Sequence, residues 1–456
     1  MTLSTSRLQA MSAPSEFRTW TPPAVAVVAS RRAAATSERG VAALVVVMVL
    51  FFIVSLVAAY SSRNMIFEQR TSANQYRSTA ALDAADAGLE WALSLLNSGR
   101  IDGACNKTTK LAAAPNDTFR QRYLAIDGAN GAVTVKTQAD GTELLPSCAF
   151  SAGAWTCSCP SDGAPAIAGD GPAFRVRFLQ LPAPRAGTIR VEARGCTSVD
   201  NQCLAFPAPH ATECRGTACA LVSLFSGLKA PPTAAITART TVNVGGAALT
   251  AVNSSAVGSG ISIHAGGLVD PTGMTLVGRP GSPANLSKVD GDALLSAVSF
   301  TPDRMFAAFF GLLPATYQEQ PGAVVVNCGG GCLWTADVRD VVRDNPGRVI
   351  WLAGNMDFDA AGNACVDDAN LPDPCVIVAT GNITFSAATT VYGLIYSHAA
   401  TWATAGAGTI QGAAGASSAI AGNGSPTVVF DAELLTRLRY TSGSFARVPG
   451  SWKDIP

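Results

Sequence analysis

The sequence predicts an α+β protein in three parts: a long N-terminal transmembrane and amphipathic helix, a small antiparallel β-sheet, and a glycine-rich C-terminal region. The third part is β-solenoid-like or an irregular all-β domain. Three observations support this prediction. An uncharged apolar run lies near the N-terminus, segments in the middle alternate apolar and polar residues, and a ten-residue motif occurs twice in the C-terminal half.

The composition limits the classes of protein to which the chain can belong. Of its 456 residues, 48% are hydrophobic and 14% are charged, which excludes a disordered chain and a coiled coil. The 32 basic residues balance 32 acidic ones. We therefore expect no nucleic acid as a partner, because binding to phosphates requires a basic surface.

Residues 41–60, VAALVVVMVLFFIVSLVAAY, contain no charge. A helix of this length spans about 30 Å, the thickness of the hydrocarbon layer of a membrane. A cleaved secretory signal would have a shorter apolar core that ends at a site of small residues. We therefore expect a single-pass helix in the inner membrane. The N-terminus is expected to be cytoplasmic, because residues 1–40 carry five arginines against two glutamates.

The helix is predicted to continue beyond the membrane, over residues 41–97. Residues 61–97 contain no proline, and apolar residues recur there at steps of three and four. The apolar stripe consists of Leu82, Ala85, Leu89, Leu93 and Leu96. The simplest interpretation is a signal anchor followed by a helical stalk.

Two strings around this helix resemble a known family. Glu38-Arg39-Gly40-Val41 lies where the aliphatic run begins. Ala85-Asp86-Ala87-Gly88-Leu89 lies near the end of the predicted helix. Residues 38–96 resemble the N-terminal region of type IV prepilin-like proteins, and most closely that of PilX-type minor pilins. One departure is Asp86, which stands where the family usually has glutamate.

The resemblance implies that residues 1–40 are a cytoplasmic leader. Prepilin peptidase would cut between Gly40 and Val41, and the new N-terminal Val41 would be methylated. The helix would then bind other minor and major pilins. Major pilins have glutamate as the fifth mature residue, where this chain has Val45. That difference favours a subunit at the tip or in the initiating complex, and it is shared by K-type pseudopilins. Translation starts at Met1 or Met11.

Residues 98–232 are predicted to form a disulfide-containing, pilin-like β domain. Segments 174–178 and 188–194 alternate apolar and polar residues, as half-buried antiparallel strands do, and the residues between them favour a turn. Further strands are predicted at 132–136 and 220–224. We place the domain boundary at Pro231-Pro232.

Residues 233–440 are predicted to form the glycine-rich β-repeat domain, followed by a C-terminal tail at 441–456. Residues 349–358 and 376–385 share five of ten positions at an offset of 27. Short strands that recur between glycine turns are typical of a β-solenoid, although a β-sandwich fits a single repeat as well. Further short β runs include 241–244. The apolar segment 300–313 is predicted to be a helix that packs across this domain.

Twelve cysteines all follow the membrane segment, where oxidation is possible. Only three histidines are present, which makes a zinc site a poor interpretation. Local loops Cys328–Cys332 and Cys365–Cys375 are natural pairs, but the full connectivity stays open. The disulfide candidates are Cys105, Cys148, Cys157, Cys159, Cys196, Cys203, Cys214, Cys219, Cys328, Cys332, Cys365 and Cys375.

Acidic and amide side chains at alternate positions suggest a second kind of site. Asn355, Asp357 and Asp359 are spaced like the ligands of a calcium loop, but the following glycine is displaced and no glutamate ends the loop. A solvated turn is the better interpretation, and calcium is the alternative. The histidines are isolated, so no Ser–His–Asp constellation is expected and the chain is not predicted to be an enzyme or to need a cofactor.

The sequence therefore predicts a PilX-type minor pilin that acts in pilus assembly at or near the tip. It would be exposed to the periplasm and then the cell surface. Two alternatives stay open. One is a pilus-tip adhesin that binds a surface receptor, and the other is a K-type pseudopilin of a type II secretion system.

Overall fold

A computed structural model describes residues 39–110, 116–182, 185–206, 218–255, 258–367 and 370–454, with the side chains of residues 39–42 and 454 left aside. Most of the predicted leader therefore lies outside the described residues. The chain divides into two compact units, residues 1–71 and residues 72–456.

The longest helix covers most of the predicted span 41–97 and contains 58 residues. The other helices are short. Within the described residues the α-helices are α1 (Arg39–Leu96), α2 (Phe119–Tyr123), α3 (Ala293–Ser296), α4 (Pro302–Phe310), α5 (Pro314–Gln318), α6 (Arg339–Asp344) and α7 (Ala432–Thr441).

The remainder of the second unit is mostly β-structure. A 3₁₀ turn (Ala284–Ser287) and a π-helical turn (Trp334–Val338) interrupt it. The strands within the described residues are β1 (Leu124–Ile126), β2 (Val133–Val135), β3 (Ser147–Ser151), β4 (Ala154–Ser158), β5 (Ala173–Leu179), β6 (Thr188–Cys196), β7 (Ala218–Ser226), β8 (Ile236–Ala238), β9 (Thr250–Val252), β10 (Ile263–Ala265), β11 (Thr275–Val277), β12 (Lys288–Val289), β13 (Ala323–Asn327), β14 (Cys332–Leu333), β15 (Val349–Ala353), β16 (Met356–Asp357), β17 (Gly362–Ala364), β18 (Cys375–Ala379), β19 (Ile383–Phe385), β20 (Thr389–Ser397), β21 (Thr401–Gly406), β22 (Thr409–Ala416), β23 (Ala419–Gly422), β24 (Thr427–Phe430), β25 (Gly443–Arg447) and β26 (Lys453–Asp454).

An antiparallel sheet follows the long helix, in the order β25-β7-β6-β5-β3-β4. The predicted hairpin is present as β5 and β6, with Val176 opposite Ala193. The predicted tail 441–456 does not stand apart from this sheet. Strands β25 and β26 pair with β7, because β7 offers a free hydrogen-bonding edge and Phe445 is buried in the core beneath it.

The glycine-rich region is an insertion in this antiparallel sheet. The chain leaves the sheet after β7 and returns at β25, and Ser226 lies opposite Gly443 in that pair. The Gly227 N–H also donates to the Ser442 carbonyl at 2.8 Å. Residues 228–441 therefore begin and end at one place on the sheet.

The strands of the insertion pair in parallel. One sheet has the order β11-β9-β24-β22-β20-β18-β15-β13, and a second has the order β14-β16-β19-β21-β23. Val349 lies opposite Val376 and Met356 lies opposite Ile383. The 27-residue offset of the sequence repeat is therefore the offset between β15 and β18 and between β16 and β19. The predicted run 241–244 forms only isolated bridges, at Val242.

The rungs do not follow the order of the chain. Strands β8 and β9 are the first in sequence, yet they pair with β22 and β24, which are the last. From β8 the chain passes to β10 and β12, and the later rungs begin at β13. The last rungs therefore stack on the first ones inside the sheet, and β11 and β13 lie at the two ends of its order.

Helix α4 packs across one face of the parallel strands, as the apolar segment 300–313 predicted. The Phe306 ring lies 5.3 Å from that of Trp351 and 5.6 Å from that of Tyr396, each edge to face. The Thr301 side chain begins the helix, and Gly311 ends it with a φ of 83°.

Five disulfides are described: four join residues at most 10 positions apart, and Cys105–Cys159 joins two loop residues 54 positions apart. They stabilise the fold chiefly by reducing the freedom of the unfolded chain. Cys219 is also disulfide-bonded, Cys214 lies outside the described residues, and no described cysteine is free. The pairs are Cys105–Cys159, Cys148–Cys157, Cys196–Cys203, Cys328–Cys332 and Cys365–Cys375.

Gly412 tests how tightly the rungs stack. A Cβ atom there would lie 2.1 Å from the Gly393 carbonyl oxygen, and the Gly412 φ is 140°. We expect Gly412→Ala to lower the free energy of unfolding by at least about 1–3 kcal/mol, measured by urea denaturation. Gly330→Ala is the matched control, since its Cβ meets open space. Equal stability of the two variants would contradict the tight stacking.

Candidate functional site: the N-terminal helix

The first half of α1 presents an apolar surface to its surroundings. Every residue from 43 to 60 is exposed, including Phe51 at 73% and Phe52 at 68%. Among the described residues, one helix is long and apolar enough to cross a membrane, and it is this one. Such a surface in water costs about 25 cal/mol per Å², so lipid or other apolar helices must cover it.

The predicted processing site lies at the beginning of the same helix. Gly40 and Val41 are the second and third residues of α1, and their side chains lie outside the described set. Val45 is 53% exposed and part of the apolar surface. A glutamate at that position would place a carboxylate among apolar side chains, but valine does not.

The final turns of α1 are buried against the antiparallel sheet. The buried residues include Ala85, Leu89, Ala92 and Leu96, which lie one or two turns apart and share one face. They pack in the same core as sheet residues such as Phe174. The leucines of the predicted stripe are only part of this surface, because Leu82 and Leu93 are half-buried while small residues make the closest contacts.

Two glycines allow the helix to approach the sheet this closely. A Cβ atom on Gly195, in β6, would lie 2.0 Å from the Ala81 carbonyl oxygen and 2.4 Å from the Ala85 nitrogen. A Cβ atom on Gly88, in the helix, would lie 2.9 Å from Phe174 Cδ2. Gly88 and Gly195 therefore have a steric role, because a side chain at either position would hold the helix and the sheet apart.

Asn97 joins the end of α1 to the C-terminal strand. Its Nδ2 donates to the Phe445 carbonyl at 2.8 Å, and its Oδ1 accepts from the Phe445 N–H at 2.7 Å. One amide side chain thus satisfies both backbone groups of Phe445, as a neighbouring strand would. In the sequence, Asn97 is only the last residue of the predicted helix 41–97.

Arg120 is buried where the end of α1 meets β25, and it bonds to both. Its Nε donates to the Leu96 carbonyl at 2.9 Å and its Nη2 to the Gly443 carbonyl at 3.1 Å. Burial, with a smaller effect of Arg348, lowers the pKa of Arg120 to about 10. The guanidinium therefore stays charged at neutral pH, where it favours the carbonyl end of a helix.

The segment predicted as a tail also contacts the exposed side of α1. Trp452 Nε1 donates to Asp86 Oδ1 at 3.1 Å, and Arg447 forms an ion pair with Glu90. Asp86 is the residue at which the sequence departs from the PilX-type string. Its carboxylate accepts a hydrogen bond from the chain's own C-terminal segment.

Each of the three calcium candidates accepts hydrogen bonds from the protein itself. The oxygens of Asn355, Asp357 and Asp359 accept hydrogen bonds from neighbouring rungs, with donors at Asn382, Ser386 and Thr335. The Thr335 hydroxyl holds the pKa of Asp359 below its usual value. Within the described residues no group of three or more His, Cys, Asp or Glu side chains could hold a metal ion. These oxygens therefore join rungs, and a calcium ion would have to displace their donors.

The isolated histidines pair with single carboxylates. His264 Nε2 lies 2.8 Å from Asp292 Oδ2, and His398 Nε2 lies 3.1 Å from Asp303 Oδ1. Burial lowers the pKa of His398. His210 lies outside the described residues.

One comparison with known proteins finds a family match that lies within the N-terminal helix. Residues 39–90 match the family model described as PilX N-terminal. No curated protein matches the chain. A solved structure, the competence-associated pilin ComZ from Thermus thermophilus, is 11% identical, and the match covers 83% of this chain and 97% of that chain with a TM-score of 0.20. That score is too low to indicate a shared fold. The family match confirms the predicted resemblance to PilX-type proteins over residues 39–90.

Asn97→Ala tests the junction between α1 and β25. The variant leaves the Phe445 N–H and carbonyl without their partner, so we expect a loss of about 1–3 kcal/mol in the free energy of unfolding. Hydrogen exchange of the Phe445 amide should become faster. Ser94→Ala, at an exposed position on the same helix, is the control. Unchanged Phe445 exchange in Asn97→Ala would show that the amide does not close this edge.

Proposed function

We propose that the chain is a minor pilin of a type IV pilus, inserted in the inner membrane as a prepilin with its N-terminus in the cytoplasm. Prepilin peptidase cuts between Gly40 and Val41, and Val41 is then methylated. The mature chain acts in pilus assembly or initiation, at or near the tip. One observation carries the proposal: a helix that matches the PilX N-terminal model is uncharged and exposed at every residue from 43 to 60.

The apolar surface limits what the helix can do after processing. It can leave lipid only if equivalent helices replace the lipid around it, since exposure to water is costly. Other pilins are therefore the partners of residues 43–60. The role proposed for this helix is structural, with no catalytic step.

Val45 supports a place at the end of a filament over one within it. A mature N-terminal ammonium buried among helices requires a carboxylate partner. In the resembling major pilins a glutamate at the fifth mature position supplies it, and Val45 cannot. The helix is therefore poorly suited to stack repeatedly on copies of itself.

The insertion supports the same position. Residues 228–441 form parallel rungs, and we propose that they constitute a β-solenoid carried on the antiparallel sheet. A repeating subunit would have to accommodate this bulk at every step, whereas a tip subunit would not.

N-terminal analysis of the pilus-associated protein tests the processing. We expect a mature chain that begins at methylated Val41. Gly40→Lys should leave the full-length precursor in the membrane, because the residue before the cut is changed. Ser37→Ala, within the same leader, should be processed normally. A mature chain with any other first residue, or efficient processing of Gly40→Lys, would refute this part of the proposal.

A tip adhesin is the second candidate, and the insertion is the observation that favours it. Stacked rungs present extended surfaces suited to binding. Because Ser226 lies opposite Gly443, the insertion can be removed without moving the strands that flank it. The assembly role and the adhesive role can therefore be separated in one variant.

The separating variant replaces residues 227–442 by Asn-Gly, a pair that closes two-residue hairpins. If the insertion is an adhesin, pilus number should stay normal while attachment to a surface is lost. If it serves assembly alone, pilus number should fall. Pili counted by electron microscopy and attachment measured in the same cells distinguish these results.

A further inference from the structure

The two edges of the antiparallel sheet differ in their hydrogen bonding. At the β25 edge, the Asn97 side chain takes both the N–H and the carbonyl of Phe445. At the opposite edge, β3 is the one strand that pairs with β4 among the described residues. A side chain thus bonds the backbone at one edge of the sheet, and the question is what bonds the backbone at the other edge.

The hairpin geometry shows which way the β4 backbone groups point. A two-residue turn at Ala152-Gly153 joins β3 to β4, so Ser151 and Ala154 form the closing pair. Pairs then alternate between hydrogen-bonded and non-hydrogen-bonded along the hairpin. Phe150 and Trp155 are therefore a non-hydrogen-bonded pair.

Observed contacts support this alternation. The Phe150 N–H donates to the Pro172 carbonyl at 2.8 Å, and its carbonyl accepts from the Gly171 N–H at 3.2 Å, both on the side away from β4. Two residues along, Cys148 and Cys157 are 4.0 Å apart between Cα atoms and form a disulfide. That separation is typical of the closer, non-hydrogen-bonded pairs.

Four backbone groups consequently point outward from β4: the N–H and carbonyl of Trp155 and of Cys157. No hydrogen bond from another described residue reaches any of them. They are two residues apart, which is the repeat of a β-strand. This arrangement is a template for one further strand.

The edge lacks the features that usually prevent strand addition. Residues 144–161 contain no charged side chain, and β4 contains no proline. Trp155 is 44% exposed, with its ring 5.6 Å from Phe150 and 5.2 Å from Phe174. An added strand would therefore meet an uncharged, partly aromatic surface beside its backbone partners.

A second copy of this chain is a poor occupant. Two β4 strands would pair about a twofold axis normal to the sheet, which reverses every direction within the sheet. The packed ends of the two α1 helices would then run in opposite directions. A second copy is therefore disfavoured in any assembly in which these packed ends run in the same direction.

We propose that β4 is a strand-addition site, occupied by an extended, uncharged segment of a different protein in the same assembly. The lack of charge over residues 144–161 favours a segment without charges, because no side chain of that stretch could pair with one. Only the identity of the assembly as a pilus rests on the proposed function; the open edge does not.

Hydrogen exchange at single-residue resolution tests the proposal. In the purified full-length chain in detergent micelles, the Trp155 and Cys157 amides should exchange rapidly. In native envelopes or pili from the same cells, both should slow by about tenfold or more. The Thr156 amide, which bonds inward to Ala149 in the hairpin pattern, should be protected in both samples. Unchanged exchange at Trp155 and Cys157 would overturn the proposal.

Site-specific cross-linking identifies the occupant. A benzoylphenylalanine at Thr156 should cross-link to an uncharged segment of another protein. Trp155→Pro removes the outward N–H without breaking any bond within the hairpin, so it should abolish this cross-link. Trp155→Ala keeps the N–H and should retain it. A cross-link to a second copy, or equal cross-linking in both variants, would refute the strand addition.

These results remain distinct from the test of the pilus role. A chain found in pili with unprotected β4 amides refutes the strand-addition site and leaves the pilus role intact. A chain absent from pili but protected at β4 in the envelope supports the site and refutes the pilus role.

Discussion

The contact between α1 and β6 at Gly195 constrains the second unit. The backbones approach so closely that a single methyl group would overlap the Ala81 carbonyl. Such an approach requires small residues on both surfaces, and it buries Ala85 and Ala92 completely. The last turns of α1 are thereby fixed to the sheet, and the sheet carries the insertion.

The C-terminal strands complete this packing. Strand β25 brings Phe445 under the sheet and offers its backbone to Asn97, while Arg120 binds carbonyls from both the helix and the strand. The insertion of residues 228–441 interrupts the chain just before β25. The sheet therefore cannot be completed until the long insertion has been made, which links the folding of the two regions.

The sequence predicted the elements whose signals are local. The uncharged run 41–60, the alternation in β5 and β6, and the recurrence of residues 349–358 at 376–385 each depend on neighbouring residues. Sequence reasoning gave less for the candidate site. It found Ala85 and the leucines of α1, but it did not find the contacts of Gly88 and Gly195, because glycine leaves little trace in a pattern of hydrophobicity.

The sequence by itself determined an apolar helix, an antiparallel hairpin and a 27-residue repeat, because periodicity and turn residues act over short distances. The tertiary structure decided which distant segments meet. Asn97 bonds a residue 348 positions away, and the last parallel rung stacks on the first. Neither pairing has a local signal, since each depends on backbone groups that every residue carries and on a shape that forms only when the chain is folded.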